Sequence, residues 1–144
     1  MKISDATVSQ DWSGADSQGL YAMDKWADGF YSVNECGHVS VCPLDDQELH
    51  IDIMDVIDAA RSEGASLPML IRFQDVIRSR VRRLNQRFRM AIQESGYAGT
   101  YRSIYPIKVN QQRHLVEEVL SFGEQHGFGL EVGSKPELLA VMSM

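Results

Sequence analysis

Past residue 65 the sequence alternates short apolar runs with stretches of helical period, and this rhythm limits the fold more than any other feature. "LPMLIRF" reads as a short buried strand. "DVIRSRVRRLNQRFRMAIQES" sets Ile77, Val81, Leu84 and Phe88 on one stripe and is closed by Gly96, so it reads as a helix. "YRSIYPIKV" reads as a strand, and "RHLVEEVLSFGEQHG" as a helix with Leu115, Val116, Val119, Leu120 and Phe122 inward. "FGLEV" is a third strand, and "KPELLAVMSM" opens another helix. A β-α-β-α-β-α order at this spacing means parallel strands joined by crossover helices. Three strands apolar on both faces cannot cover themselves, and a (β/α) barrel needs eight strands and roughly 250 residues. A chain of 144 residues in this order is expected to be the front portion of a longer protein.

The upstream third has a different texture. Residues 1–20 are rich in Ser, Asp and Gly and are expected to form a flexible tail. In "WADGFYSVNECGHVSVCP" two β-prone runs flank "NECG", where Gly37 is free to take a positive φ. This predicts a β-hairpin within residues 21–45, ended by Pro43. "IDIMDVIDAARSEG" then places Ile53, Met54, Ile57 and Ala60 at helical intervals, and Gly64 stops it. Residues 46–144 are read as the partial barrel.

Composition narrows the function classes. No apolar run approaches the roughly 20 residues that cross a bilayer. The polar N-terminus lacks the apolar heart of a secretion signal, so a cytoplasmic address is expected. Two cysteines, Cys36 and Cys42, make no disulfide framework. A net charge of −6 argues against a nucleic-acid or anionic-membrane binder.

Lys108 sits inside the apolar run "YPIKV". Strand alternation puts Ile104, Pro106, Lys108 and Asn110 on one side, and Tyr105, Ile107 and Val109 under the helices. Lys108 then points toward the barrel axis near the C-terminal end of its strand, where such barrels place their chemistry. A lysine held from water is pushed toward its neutral form, and a neutral amine condenses with aldehydes. The competing reading is a strand-end lysine with a buried stem and a solvated head. Position alone favours that second reading. Glu131, Gly133 and Ser134 follow the third strand and are expected at the same mouth. Ser134 and Glu137 also form an S-x-x-E pattern that caps a helix, and the N–H groups there can also face a ligand.

Arg72, Arg78, Arg80, Arg82, Arg83, Arg87 and Arg89 are half of the fourteen Lys and Arg residues. They suit a phosphate-gripping helix. The intact apolar stripe beside them favours a solvated outer face instead. Cys36, His38 and Cys42 fall on one strand, spread too far to converge on one metal ion at about 3.3 Å per residue. His50, His114 and His126 read as ordinary surface or core histidines.

"YPIKVNQQRHLVEEV" followed by "GLEVGSKPELLAV" resembles the biosynthetic arginine decarboxylases, pyridoxal-phosphate enzymes of the alanine-racemase-like barrel group. "WADGFYSVNECGHVSVCP" and "LPMLIRFQDVIRSRVRRLNQRF" are similar to their N-terminal signature and first barrel strand and helix. The resemblance runs from about residue 20 to the end. It implies an α/β fold, the front of a (β/α)8 TIM-type barrel, preceded by a hairpin belonging to a second β-rich domain. It implies that Lys108 is the catalytic lysine holding pyridoxal 5'-phosphate as a Schiff base. It places Glu131, Ser134 and Glu137 near cofactor or substrate. It implies decarboxylation of L-arginine to agmatine and CO2 in polyamine biosynthesis, a homo-oligomer, and magnesium with no identifiable ligands. The family's phosphate loop and ring-binding residues are expected past Met144, so the 144-residue chain by itself is expected to be inactive. The runner-up readings are a decarboxylase of ornithine, lysine or diaminopimelate, or a non-catalytic regulatory homologue.

Overall fold

The computed structural model describes residues 12–44 and 49–144, which form a mixed α/β fold in two units. The first runs up to Arg72 and the second begins at Phe73.

In the first unit, helix α1 (Gly14–Leu20) starts from a capping box. The Ser13 N–H donates to Asp16 Oδ2 at 2.8 Å, and the Asp16 N–H donates back to Ser13 Oγ at 3.3 Å. Residues 14–20 are thus a helix where a tail was expected, because Ser and Asp at this spacing satisfy a helix start. The rest of the expected tail, residues 1–11, lies outside the described residues. A short helix α2 (Met23–Trp26) leads into β1 (Tyr31–Val33), β2 (Val39–Val41) and β3 (Ile51–Asp52). The three form an antiparallel sheet in that order, with Tyr31 opposite Val41 and Val41 opposite Ile51. Between β1 and β2, Gly37 takes φ +79° and donates its N–H to the Asn34 carbonyl at 3.0 Å. Met23, Ala27, Phe30, Val41 and Cys42 are buried. Asp52 caps α3 (Ile53–Ser62) by accepting the Met54 N–H at 2.8 Å. Helix α3 lies in this unit with the hairpin, whereas the sequence reading grouped it with the barrel portion.

"LPMLIRF" is not a strand. Residues 67–73 form no ladder, and Leu70 is 75% exposed. An apolar run becomes a strand only where a partner completes its hydrogen bonds, and none pairs with it among the described residues.

The second unit opens with α4 (Gln74–Ser95), ended by Gly96 at φ +63°. Strand β4 (Ile104–Pro106) pairs in parallel with β5 (Gly129–Glu131). Helix α5 (Arg113–Gly123) makes the crossover and packs on α4, and α6 (Lys135–Met142) follows β5. Val81, Ile107, Val116 and Val119 are buried, each such burial contributing about 1.5–3 kcal/mol. The expected α4 stripe is only partly inward. Leu84 and Phe88 stay nearly half exposed, while Ser79 and Asn85 are buried. Asn85 is held there by donating to the Val81 carbonyl at 2.8 Å and accepting from Ser103 Oγ at 3.3 Å. Phe88 stacks on Tyr101 with ring centroids 3.8 Å apart. The expected strand over 101–109 keeps only three residues. Beyond Pro106 the backbone tightens into a 3-10 turn, Ile107–Val109.

Candidate active site

The parallel ladder aligns Pro106 with Glu131, so the C-terminal ends of β4 and β5 lie side by side. Pro106 has no N–H to extend the ladder, and the chain turns directly after it. Lys108 therefore sits on a turn just past a strand end, not within a strand. Strand alternation no longer applies, and Ile107 is fully buried while Val109 is 69% exposed. The Lys108 side chain is 61% exposed, so the expected shelter from water is not what this structure has. The turn carries the amine outward over the open end of two strands. Its Nζ lies 3.4 Å from Glu131 Oε1, across a separation of 23 residues. Both side chains are substantially in water, so this pair orients the amine more than it stabilises the fold.

Glu137 joins the same end from α6. Its Oε2 accepts the Gly133 N–H at 2.7 Å. A Cβ on Gly133 would stand 3.7 Å from Glu131 Oε1 and 3.7 Å from Glu137 Oε2, so the two carboxylates flank that glycine. Ser134 is the N-cap of α6 and accepts the Glu137 N–H at 3.3 Å. Lys108, Glu131 and Glu137 are thus gathered at one mouth. The Ser134 hydroxyl is engaged in the cap.

The remaining sequence candidates sit elsewhere. Asp52 Oδ2 accepts from His38 Nδ1 and from Asn34 Nδ2, both at 2.8 Å. His38 is thereby a partner of Asp52 rather than of Cys36 or Cys42. The His38 hydrogen bond holds the Asp52 carboxyl below the usual carboxylate range, helped by Met54 N–H and Asn34 and opposed by burial. No group of three or more His, Cys, Asp or Glu side chains among the described residues is placed to hold a metal ion. On α4, Arg78 lies over the Phe122 ring at 4.8 Å, and Arg89 Nη2 lies 2.6 Å from His126 Nδ1. The Arg89–His126 pair was not foreseen, because 37 residues separate its members and neither lies on a predicted strand end. Among the described residues no helix is long and apolar enough to cross a membrane.

No protein-family model matches the chain. Curated relatives do. The biosynthetic arginine decarboxylase of Thermosynechococcus vestitus is 42% identical over 138 residues, covering 96% of this chain and 22% of the relative. That of Gloeobacter violaceus is 45% identical over 134 residues, covering 93% of this chain and 21% of the relative. The crystal structure of the Campylobacter jejuni biosynthetic arginine decarboxylase superposes with a TM-score of 0.76 at 31% identity, over 85% of this chain and 20% of that one. The chain belongs with the biosynthetic arginine decarboxylases. It spans about a fifth of the length of the curated relatives it matches, within their N-terminal part. The match to the Thermosynechococcus arginine decarboxylase leaves at most six residues of this chain outside it, so it takes in Lys108, Glu131 and Glu137.

Proposed function

We propose that the whole protein is a pyridoxal-phosphate-dependent decarboxylase of L-arginine, releasing CO2 and agmatine for polyamine synthesis. The observation that carries this reading is an accessible primary amine, Lys108, beside Glu131 at the C-terminal end of a parallel strand pair. That arrangement lies in a chain 42% identical to biosynthetic arginine decarboxylases. On this reading β4 and β5 belong to the front of a (β/α)8 barrel, and the hairpin to a second, β-rich domain.

The residues present fit one end of the cofactor. Lys108 would hold the aldehyde carbon covalently through its amine, and its exposure leaves it open to that reaction. Glu131 and Glu137 are anions and do not suit a phosphate; they suit cationic groups. When bound, the cofactor ring supplies a sink for the electron pair left at Cα as the carboxylate departs. Glu131 holds the Lys108 amine over the strand ends. With Glu137 it makes this mouth electronegative, which favours a substrate carrying a guanidinium. In the net reaction the Cα–carboxylate bond breaks, CO2 leaves, and Cα takes up a proton. Magnesium finds no ligand set among the described residues, and no step is assigned to it. A cytoplasmic address and a homo-oligomer complete the proposal.

The test is CO2 release from carboxyl-labelled arginine by the whole protein. We expect Lys108→Ala to lower it by at least about 10³-fold, as loss of a covalent catalyst does. Unchanged release by Lys108→Ala sinks the assignment. Faster release from ornithine, lysine or diaminopimelate corrects the substrate alone.

A further inference from the structure

We infer that a small oxyanion, a carboxylate or a phosphate, binds at the end of the strand pair opposite Lys108, against Arg89. Because β4 and β5 run in parallel, the segments leading into them share one end of the sheet. Lys108 and Glu131 lie at the other. Beside those lead-in segments and the C-terminal half of α4 is a cavity of about 310 Å³. Its lining includes Asn85, Arg89, Thr100, Tyr101, Gln125 and His126. Cavities from about 300 Å³ upward accommodate small ligands.

Charge decides what fits. Arg89 Nη2 meets His126 Nδ1 at 2.6 Å. A guanidinium only donates, so Nδ1 accepts and the imidazole proton sits on Nε2. That nitrogen is shut away from water and has no hydrogen-bond partner among the described residues. Burial first, then Arg89, push the His126 pKa down, so the ring stays neutral. Arg89 is therefore fixed by a neutral group, and its charge is left uncompensated at the cavity wall. The wall is built in advance. Asn85 is committed to Val81 and Ser103, and Tyr101 is stacked on Phe88. A cation is repelled from this space, and an apolar ligand strips water from Arg89 without replacing it. An oxyanion accepts the remaining guanidinium N–H groups, with amide and hydroxyl side chains alongside.

The test is calorimetric titration of the purified whole protein in buffer free of multivalent anions, with inorganic phosphate in one arm and succinate in the other. Saturable binding in either arm, weakened at least roughly tenfold by Arg89→Gln, supports the site. Phosphate alone, or succinate alone, names the class. Absence of saturable binding in both arms overturns it, as does binding that Arg89→Gln leaves unchanged. If Arg89→Gln does not fold, the unaltered protein decides by NMR. A nearby anion offsets Arg89, so the His126 titration midpoint must rise on ligand addition, and a midpoint that stays put overturns the site.

Discussion

Asp52 serves two elements through its two oxygens. Oδ1 caps α3, and Oδ2 receives His38 and Asn34 from the hairpin. With its folded pKa depressed, the carboxylate contributes stability above the ordinary Asp value of about 3.9. That contribution is lost as pH falls through the lower, folded value. We expect a carboxyl NMR titration of Asp52 to show a midpoint under about 3.9, and Asp52→Asn to flatten the acid limb of the unfolding curve. A midpoint at or above the ordinary value contradicts this reading. Asn85 invites a second experiment. Asn85→Leu strands the Ser103 hydroxyl in a buried place, at a cost of about 1–3 kcal/mol in urea unfolding. At this scale the Lys108–Glu131 pairing was legible, since both residues follow strands that run in parallel. The exposure of Lys108 was not, because it depends on a turn beyond Pro106 that strand periodicity does not report.

Helices were the legible elements. The stripes of α3 and α5 and the stop at Gly96 come from local spacing and glycine chemistry, which a chain carries wherever it is placed. Strands were less legible, since a ladder needs a partner. "LPMLIRF" is as apolar as any strand here yet pairs with nothing among the described residues, whereas Ile104–Pro106 is held by Gly129–Glu131. The passage from α5 to β5 is also tight. A Cβ at Gly123 would collide with Cβ and Cγ of Phe128, atoms too near the backbone to swing aside. Gly123→Ala is expected to cost about 1–3 kcal/mol, read by urea denaturation. No loss would show that this passage relaxes freely.

Across the whole molecule, the first unit carries a small antiparallel sheet and the second a parallel strand pair with crossover helices. The β-α-β order of the second unit made its class readable from the sequence, and the mouth followed from it. The Arg89 cavity did not, because it joins α4 to two separate lead-in segments that no local pattern relates. The proposed chemistry rests on which of four lysines, Lys2, Lys25, Lys108 and Lys135, takes the cofactor. Borohydride reduction of the whole protein loaded with pyridoxal phosphate, followed by peptide mapping, answers this. We expect the pyridoxyl mass on the peptide containing Lys108 and its loss in Lys108→Ala; a reduced label on any other lysine would contradict the proposal.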